Sequence, residues 1–214
     1  MASSLLTLLV NPNAFFGRDP PEWEALRTPA LIVLAAALVA GATAFLTTGF
    51  LARIMPPDVQ QYQGIMVIFG TIGALVGIFL FWVAWAGVFF VISLLFQGKG
   101  SFRRTLAATG YGYLPLVIGS AVSLAIFWVF SPGIRVAPVT SVEEIQAAVT
   151  ALTHQPVMVL SGILGIIFLL WAANIWIFGI RYARGLTLRN AAVTVGVPVA
   201  LYIIIIVWNL GVLA

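Results

Sequence analysis

Residues 64–104 read GIMVIFGTIGALVGIFLFWVAWAGVFFVISLLFQGKGSFRR. From Gly64 to Phe96 no side chain carries a charge, and then Lys99, Arg103 and Arg104 arrive together. A hydrocarbon core of ~30 Å takes about 20 apolar residues in a helix. At ~1.5 Å per residue, 64–96 approaches ~50 Å, so this helix tilts or continues beyond the bilayer. Lipid offers no partner for backbone N–H and C=O groups, and nothing here alternates like a barrel strand, so the segment is helical.

Working outward, 29–51, 109–130, 156–180 and 191–213 also reach spanning length. Cations fall almost wholly in alternate connections. Arg18, Arg27, Lys99, Arg103, Arg104, Arg181, Arg184 and Arg189 share one side, against Arg53 and Arg135 on the other. The positive-inside rule then places the N-terminus in the cytoplasm and, after five spans, the C-terminus outside. The fold expected is all-α and integral to the cell membrane. Residues 1–28 form a cytoplasmic interfacial segment and 29–214 a five-helix transmembrane domain.

Composition agrees. Of 214 residues, 62% are hydrophobic and 7% charged, with mean hydropathy +1.13. Soluble domains carry about 25% charged residues. The net charge of +4 does not indicate nucleic acid, because the cations lie beside apolar spans, where anionic lipid headgroups are the natural counterpart.

Two shorter helices are expected at the surfaces. Leu5, Leu6, Leu8, Leu9 and Val10, with Phe15, Phe16 and Trp23, make an apolar surface interrupted by Asn11, Pro12 and Pro20-Pro21. That pattern predicts a short helix in the inner headgroup layer. It lacks the basic start of a secretory signal. On the outside, an extended piece over 132–138 leads to Ser141-Val142-Glu143-Glu144, a capping box. Val142, Ile145, Val149 and Leu152 then share one face, predicting an amphipathic helix over 141–153 that His154 and Pro156 end.

Small residues at four-residue spacing (Gly73 with Gly77, preceded by Gly70; Gly119 with Ser123; Ser161 with Gly165) predict close contacts between spans, with a homodimer face as the alternative. Trp82, Trp85, Phe89 and Phe90 mark either the inner interface or a lipid-facing aromatic face. Asn174, Thr43, Thr47, Thr48, Ser120, Ser123 and Asn209 are the polar groups that enter the bilayer, where such groups hydrogen-bond across helices.

Two inner turns resemble each other. Residues 100–108 are followed by Gly110 and Pro115, and residues 185–192 by Gly196 and Pro198. Duplication and chance convergence both account for this. Each proline removes a backbone hydrogen bond near the inner end of an outward span, as a plain kink or a broken transport helix. A transport reading predicts a cavity lined by Asn174, Tyr111, Tyr113, Pro115 and Pro198. No ionisable residue lies deep in a span, which argues against ion-coupled transport.

Catalytic chemistry finds no residues. There is no cysteine, the one histidine is His154, and Asp19, Glu22, Glu24, Asp58, Glu143 and Glu144 all lie in connections. Intramembrane carboxylate dyads, thiolate metal sites and a serine–histidine pair within the bilayer are therefore excluded. No Walker loop or His-Glu-x-x-His helix occurs. No catalytic, metal or cofactor-binding residue is assigned.

Residues 9–16, LVNPNAFF, resemble the opening of prokaryotic Yip-domain proteins. The turn 98–102, GKGSF, followed by 111–115, YGYLP, resembles that family's segment at the start of the third span. The resemblance implies five spans, a cytoplasmic N-terminus and a short outer C-terminus. Eukaryotic members are Ypt- and Rab-interacting proteins of vesicle traffic. They carry an acidic Tyr-Gly-Pro motif before the first span, which residues 1–28 do not match, so Rab binding is not carried over. The function expected is a non-enzymatic membrane organiser or partner scaffold. Its inner face would present Lys99, Arg103, Arg104, Arg181, Arg184 and Arg189 to anionic headgroups, a membrane-protein partner or a second copy. The alternative is a small permease or transporter subunit for an uncharged or lipidic substrate.

Overall fold

Hydropathy decides where helices form, and packing decides where they break. The computed structural model describes residues 2–18, 22–133, 139, 141 and 144–209. Among them every regular element is helical. Two short helices, Ala2–Val10 (α1) and Pro12–Phe16 (α2), precede the long Arg27–Ile54 (α3). A one-turn helix, Pro57–Gln60 (α4), leads to Gln63–Leu94 (α5). Phe102–Tyr111 (α6) and Tyr113–Phe130 (α7) follow, then Ile145–Thr153 (α8), Pro156–Arg184 (α9) and Leu188–Asn209 (α10).

Five helices are long and apolar enough to cross a bilayer: α3, α5, α6 with α7, α9 and α10. The chain is an integral, multi-pass membrane protein. α5 has 32 residues, the over-length span expected. α9 is the axis of the bundle, meeting α2, α6, α7 and α10, while α3 packs along α5 and α7. Leu169, Ala172, Ile175, Trp176, Ile180 and Ala183 of α9 are buried. Phe69, Leu80, Phe81 and Trp208 face outward, as a hydrocarbon surround requires.

The third span differs from the reading 109–130. It begins at Phe102, where Ser101 caps α6 by accepting from the Arg104 N–H (3.4 Å), and it breaks at Gly112. The aromatic residues of α5 also differ from expectation. Trp82 and Phe89 are buried inside the bundle and do not face lipid, while Trp85 and Phe90 are half-buried.

Spacing found some helix contacts and missed others. A Cβ on Gly119 would lie 2.5 Å from the Phe168 ring, and one on Gly41 2.9 Å from Leu75, so these helices touch through glycine. Gly70 sits against Thr48. Gly73, Gly77 and Gly165 meet nothing within 4 Å, which corrects their expected contacts between spans of one chain. Four-residue spacing fixes a shared face but not the direction in which that face points.

The apolar N-terminal surface turns inward. Leu8, Phe15, Phe16 and Trp23 are buried in the bundle core, correcting the expectation that they face headgroups; Leu6 and Val10 stay exposed. At the other end, α8 starts at Ile145, later than 141, with Leu152 buried and Val149 exposed. Val142 and Glu143 of the expected capping box, and Arg135 with most of the 132–138 piece, lie outside the described residues. His154 closes α8 as expected, its Nδ1 2.7 Å from the Thr150 carbonyl. Val139 donates its N–H to Ile54 O (2.9 Å), tying this connection to the end of α3.

Candidate functional site at the arginine-rich end

The break in the third span is made by two tryptophans from other helices. Trp82 of α5 donates its indole N–H to Leu106 O (2.8 Å), and Trp176 of α9 donates to Thr109 O (2.7 Å). Both carbonyls belong to α6. The indoles reach the backbone because residues 110 and 112 are glycines. A Cβ on Gly110 would press on Pro29 and Trp82, and one on Gly112 would collide with the Trp176 indole. Tyr111 packs on Phe15 (5.1 Å) and Phe16 (6.0 Å), while Tyr113 packs on Trp176 (6.3 Å). The YGYLP segment is thus a packing device, and both tyrosines are buried.

Pro115 falls in the first turn of α7, where its missing N–H would have no helical partner in any case. Pro198 lies inside the continuous α10 and leaves the Thr194 carbonyl without its usual donor. The expected matching pair of interruptions is therefore one helix start and one internal proline. Asn174 sits on an exposed edge of α9, between the buried Ala173 and Ile175. Among the described residues no cleft joins the five. Pro198 lines a shallow cleft of about 280 Å³ with Trp85 and Tyr202, and neither Asn174 nor Tyr111 is among its lining residues. Thr43 and Thr47 donate to Val39 O and Thr43 O of their own helix, not across helices.

The six expected surface cations separate into three kinds. Arg184, the last residue of α9, is buried, with 1% of its surface accessible. Its Nε donates to Ser93 Oγ (2.8 Å), Nη2 to Gly98 O (2.7 Å) and Nη1 to Gly100 O. The guanidinium lies over the Phe90 ring at 4.3 Å. Lys99 N–H donates to Arg184 O (2.7 Å). The α5–α6 turn is thereby wrapped around the end of α9, with Gly100 at φ +103° pressed on the Ala183 carbonyl and Gly185 at φ +63° ending the helix. Three acceptors and an aromatic face replace the water this cation loses. Arg184 is a clasp between turns, which corrects its place on the headgroup face.

Arg104 and Arg181 are engaged at the edge. Arg104 pairs with Glu24 (2.8 Å) and lies over the Trp23 ring (5.6 Å). Arg181 donates to Asn13 Oδ1 (3.2 Å), which also accepts from the Tyr182 hydroxyl (2.9 Å). Lys99, Arg103 and Arg189 are exposed, with no side-chain partner among the described residues.

Asn13 is a site residue that charge counting missed. It docks the N-terminal segment on α9, and the signal was present in Asn11-Pro12-Asn13. Asn11 caps α2 by accepting from Ala14 N–H (3.0 Å), and Pro12 opens the helix. Trp23 Nε1 donates to Phe16 O (3.0 Å) and Trp171 Nε1 to Leu9 O (3.1 Å), completing the dock. Among the described residues no three His, Asp or Glu side chains converge where a metal ion would sit.

Each stretch that carried the family resemblance now has a structural task. The comparisons agree with it. The family model described as Yip1 domain matches residues 6–209. An uncharacterized protein of Methanocaldococcus jannaschii is 34% identical over 123 residues, which cover 58% of this chain and 87% of that protein. No solved structure matches. With the family model covering nearly the whole chain, the protein belongs to the Yip1 domain family.

Proposed function

We propose that this protein is a non-enzymatic organiser of the cell membrane whose arginine-rich end faces the cytoplasm and holds anionic lipid headgroups. The N-terminus is then cytoplasmic and the C-terminus outside. The observation that carries this reading is the separation of cations. One arginine, Arg184, is consumed in locking two turns together, and the locked turns leave Lys99, Arg103 and Arg189 exposed and unpaired by any side chain among the described residues. Exposed Leu95, Phe102 and Leu188 lie in the same turns, so apolar contact with the interface accompanies the charge. Each cation near an anionic surface contributes about 1 kcal/mol, so three together favour anionic over neutral lipid by about 3 kcal/mol at moderate salt.

The test is charge reversal at Arg103 and Arg189, with topology followed by accessibility labelling. In nanodiscs containing anionic and neutral lipid, the wild type should enrich anionic lipid around itself, and the doubly reversed protein should lose most of that enrichment. Unchanged enrichment with topology intact would end this reading. Added salt should weaken the effect in the wild type, since the cations are exposed.

A further inference from the structure

At the α8 end of the bundle, α7 lies behind a cleft whose two walls are α3 and α9. Its volume is about 450 Å³. Four hydroxyls line it: Thr43 and Thr47 from α3, Ser120 and Ser123 from α7. Thr43 and Thr47 spend their protons on their own helix and keep their lone pairs. Ser120 and Ser123 donate to no protein group among the described residues. Most other hydroxyls on the spans take a carbonyl one turn back, as Thr71 does with Val67 (2.7 Å) and Ser161 with Val157 (2.9 Å). The cleft is therefore a place with unspent donors inside a hydrocarbon medium, where an unmade hydrogen bond is costly.

Depth narrows the ligand. Thr47 precedes Ile54, the end of α3, by about two turns, or ~10 Å, and Ser123 precedes Phe130, the end of α7, by the same distance. Exposed Trp128 and Phe130 mark that end as an interface belt. The hydroxyls are therefore below the headgroups. No charged side chain lines the cleft, so it gives no counterpart to a phosphate or carboxylate. It offers donors to an uncharged oxygen attached to an apolar chain, and it opens sideways to the bilayer.

We propose that this cleft seats one chain of a membrane lipid, whose ester or ether linkage oxygens accept hydrogen bonds from Ser120 and Ser123. The lipid's phosphate then lies about one turn above Ser123, short of the helix ends, and the bound molecule is drawn deeper than its neighbours. The site lies at the opposite end from the cations of the proposed function and does not depend on them.

The probe is a phosphatidylglycerol carrying a diazirine close to the carboxyl end of one acyl chain, added to nanodiscs holding the full chain. Photolysis should place adducts on residues 40–47 and 116–123. Ser120→Ala with Ser123→Ala should lower that yield by roughly eightfold, the effect of losing two hydrogen bonds of average membrane strength. Gly165→Leu offers a control that folds, because a Cβ there meets nothing within 4 Å, while the added side chain fills the cleft. It should abolish the adducts. Adducts spread evenly over α5 and α10, or yields unchanged in both variants, would overturn the proposal. So would a retained ligand without a glycerol linkage, or adducts replaced by crosslinks to a second copy.

Discussion

The two ends of this bundle are built differently. At the arginine-rich end, side-chain donors from separate helices reach backbone carbonyls. Trp82 and Trp176 brace α6, Trp23 and Trp171 hold the N-terminal helices, and Arg184 clasps the α5–α6 turn. At the α8 end the corresponding links are fewer among the described residues, Gln60 Nε2 to Met55 O (2.8 Å) being one. Val139 ties one connection to α3, Ser120 and Ser123 have no protein partner among the described residues, and Gly73 and Gly77 face open space. Lipid tails are as apolar as leucine, so apolar burial does not hold membrane helices together; shape and hydrogen bonds do. One end is thus a rigid platform for the exposed cations, and the other leaves room for lipid.

This contrast predicts an order of mutational cost. Gly112→Leu should be the most damaging, since the new side chain collides with the Trp176 indole in a fully packed site. Overpacking there costs about 3 kcal/mol or more, and loss of the monodisperse peak in detergent would report it. Were Gly112→Leu to melt like the wild type, the braced break would be wrong. Arg184→Gln comes next. It removes the donor to Gly98 O, Gly100 O and the Ser93 hydroxyl, which keeps its own bond to Phe90 O, and should lower stability by about 2–3 kcal/mol, read as a fall in the thermal midpoint. Substituting the exposed Arg189 in the same way should leave the midpoint almost unmoved. Smallest of all, Gly73→Leu should change stability by less than about 0.5 kcal/mol, because its Cβ points into open space. A large loss there would move the helix contact to a face the fold leaves bare.

The spans were legible because uncharged runs of this length admit one solution in lipid, and all five helices follow them. The break at Gly112 was not, since its cause is a pair of indoles arriving from positions 82 and 176. A glycine's neighbours in space cannot be read from its neighbours in the chain. Arg184 and Arg189 look equivalent as letters in a basic turn. They differ because the turn at Gly98 and Gly100 folds over one and not the other, and the glycines in both turns were the available hint. Asn13 carried its signal in the Asn-Pro-Asn run, which served as a family resemblance before its hydrogen bonds gave it a task. The hydroxyls of α3 and α7 were noted singly, but only helix azimuths gather them into one cleft.

The native chain has no cysteine, so single cysteines report without background. The most direct test of the account is side-specific thiol labelling of Arg103→Cys, Arg189→Cys and Gln146→Cys in intact cells and inverted vesicles. Positions 103 and 189 should react only from the cytoplasmic side, and position 146, exposed on α8, only from outside. Reaction of 103 and 189 from outside, or of all three from one side, would contradict a cytoplasmic cation platform at the end of a five-span bundle.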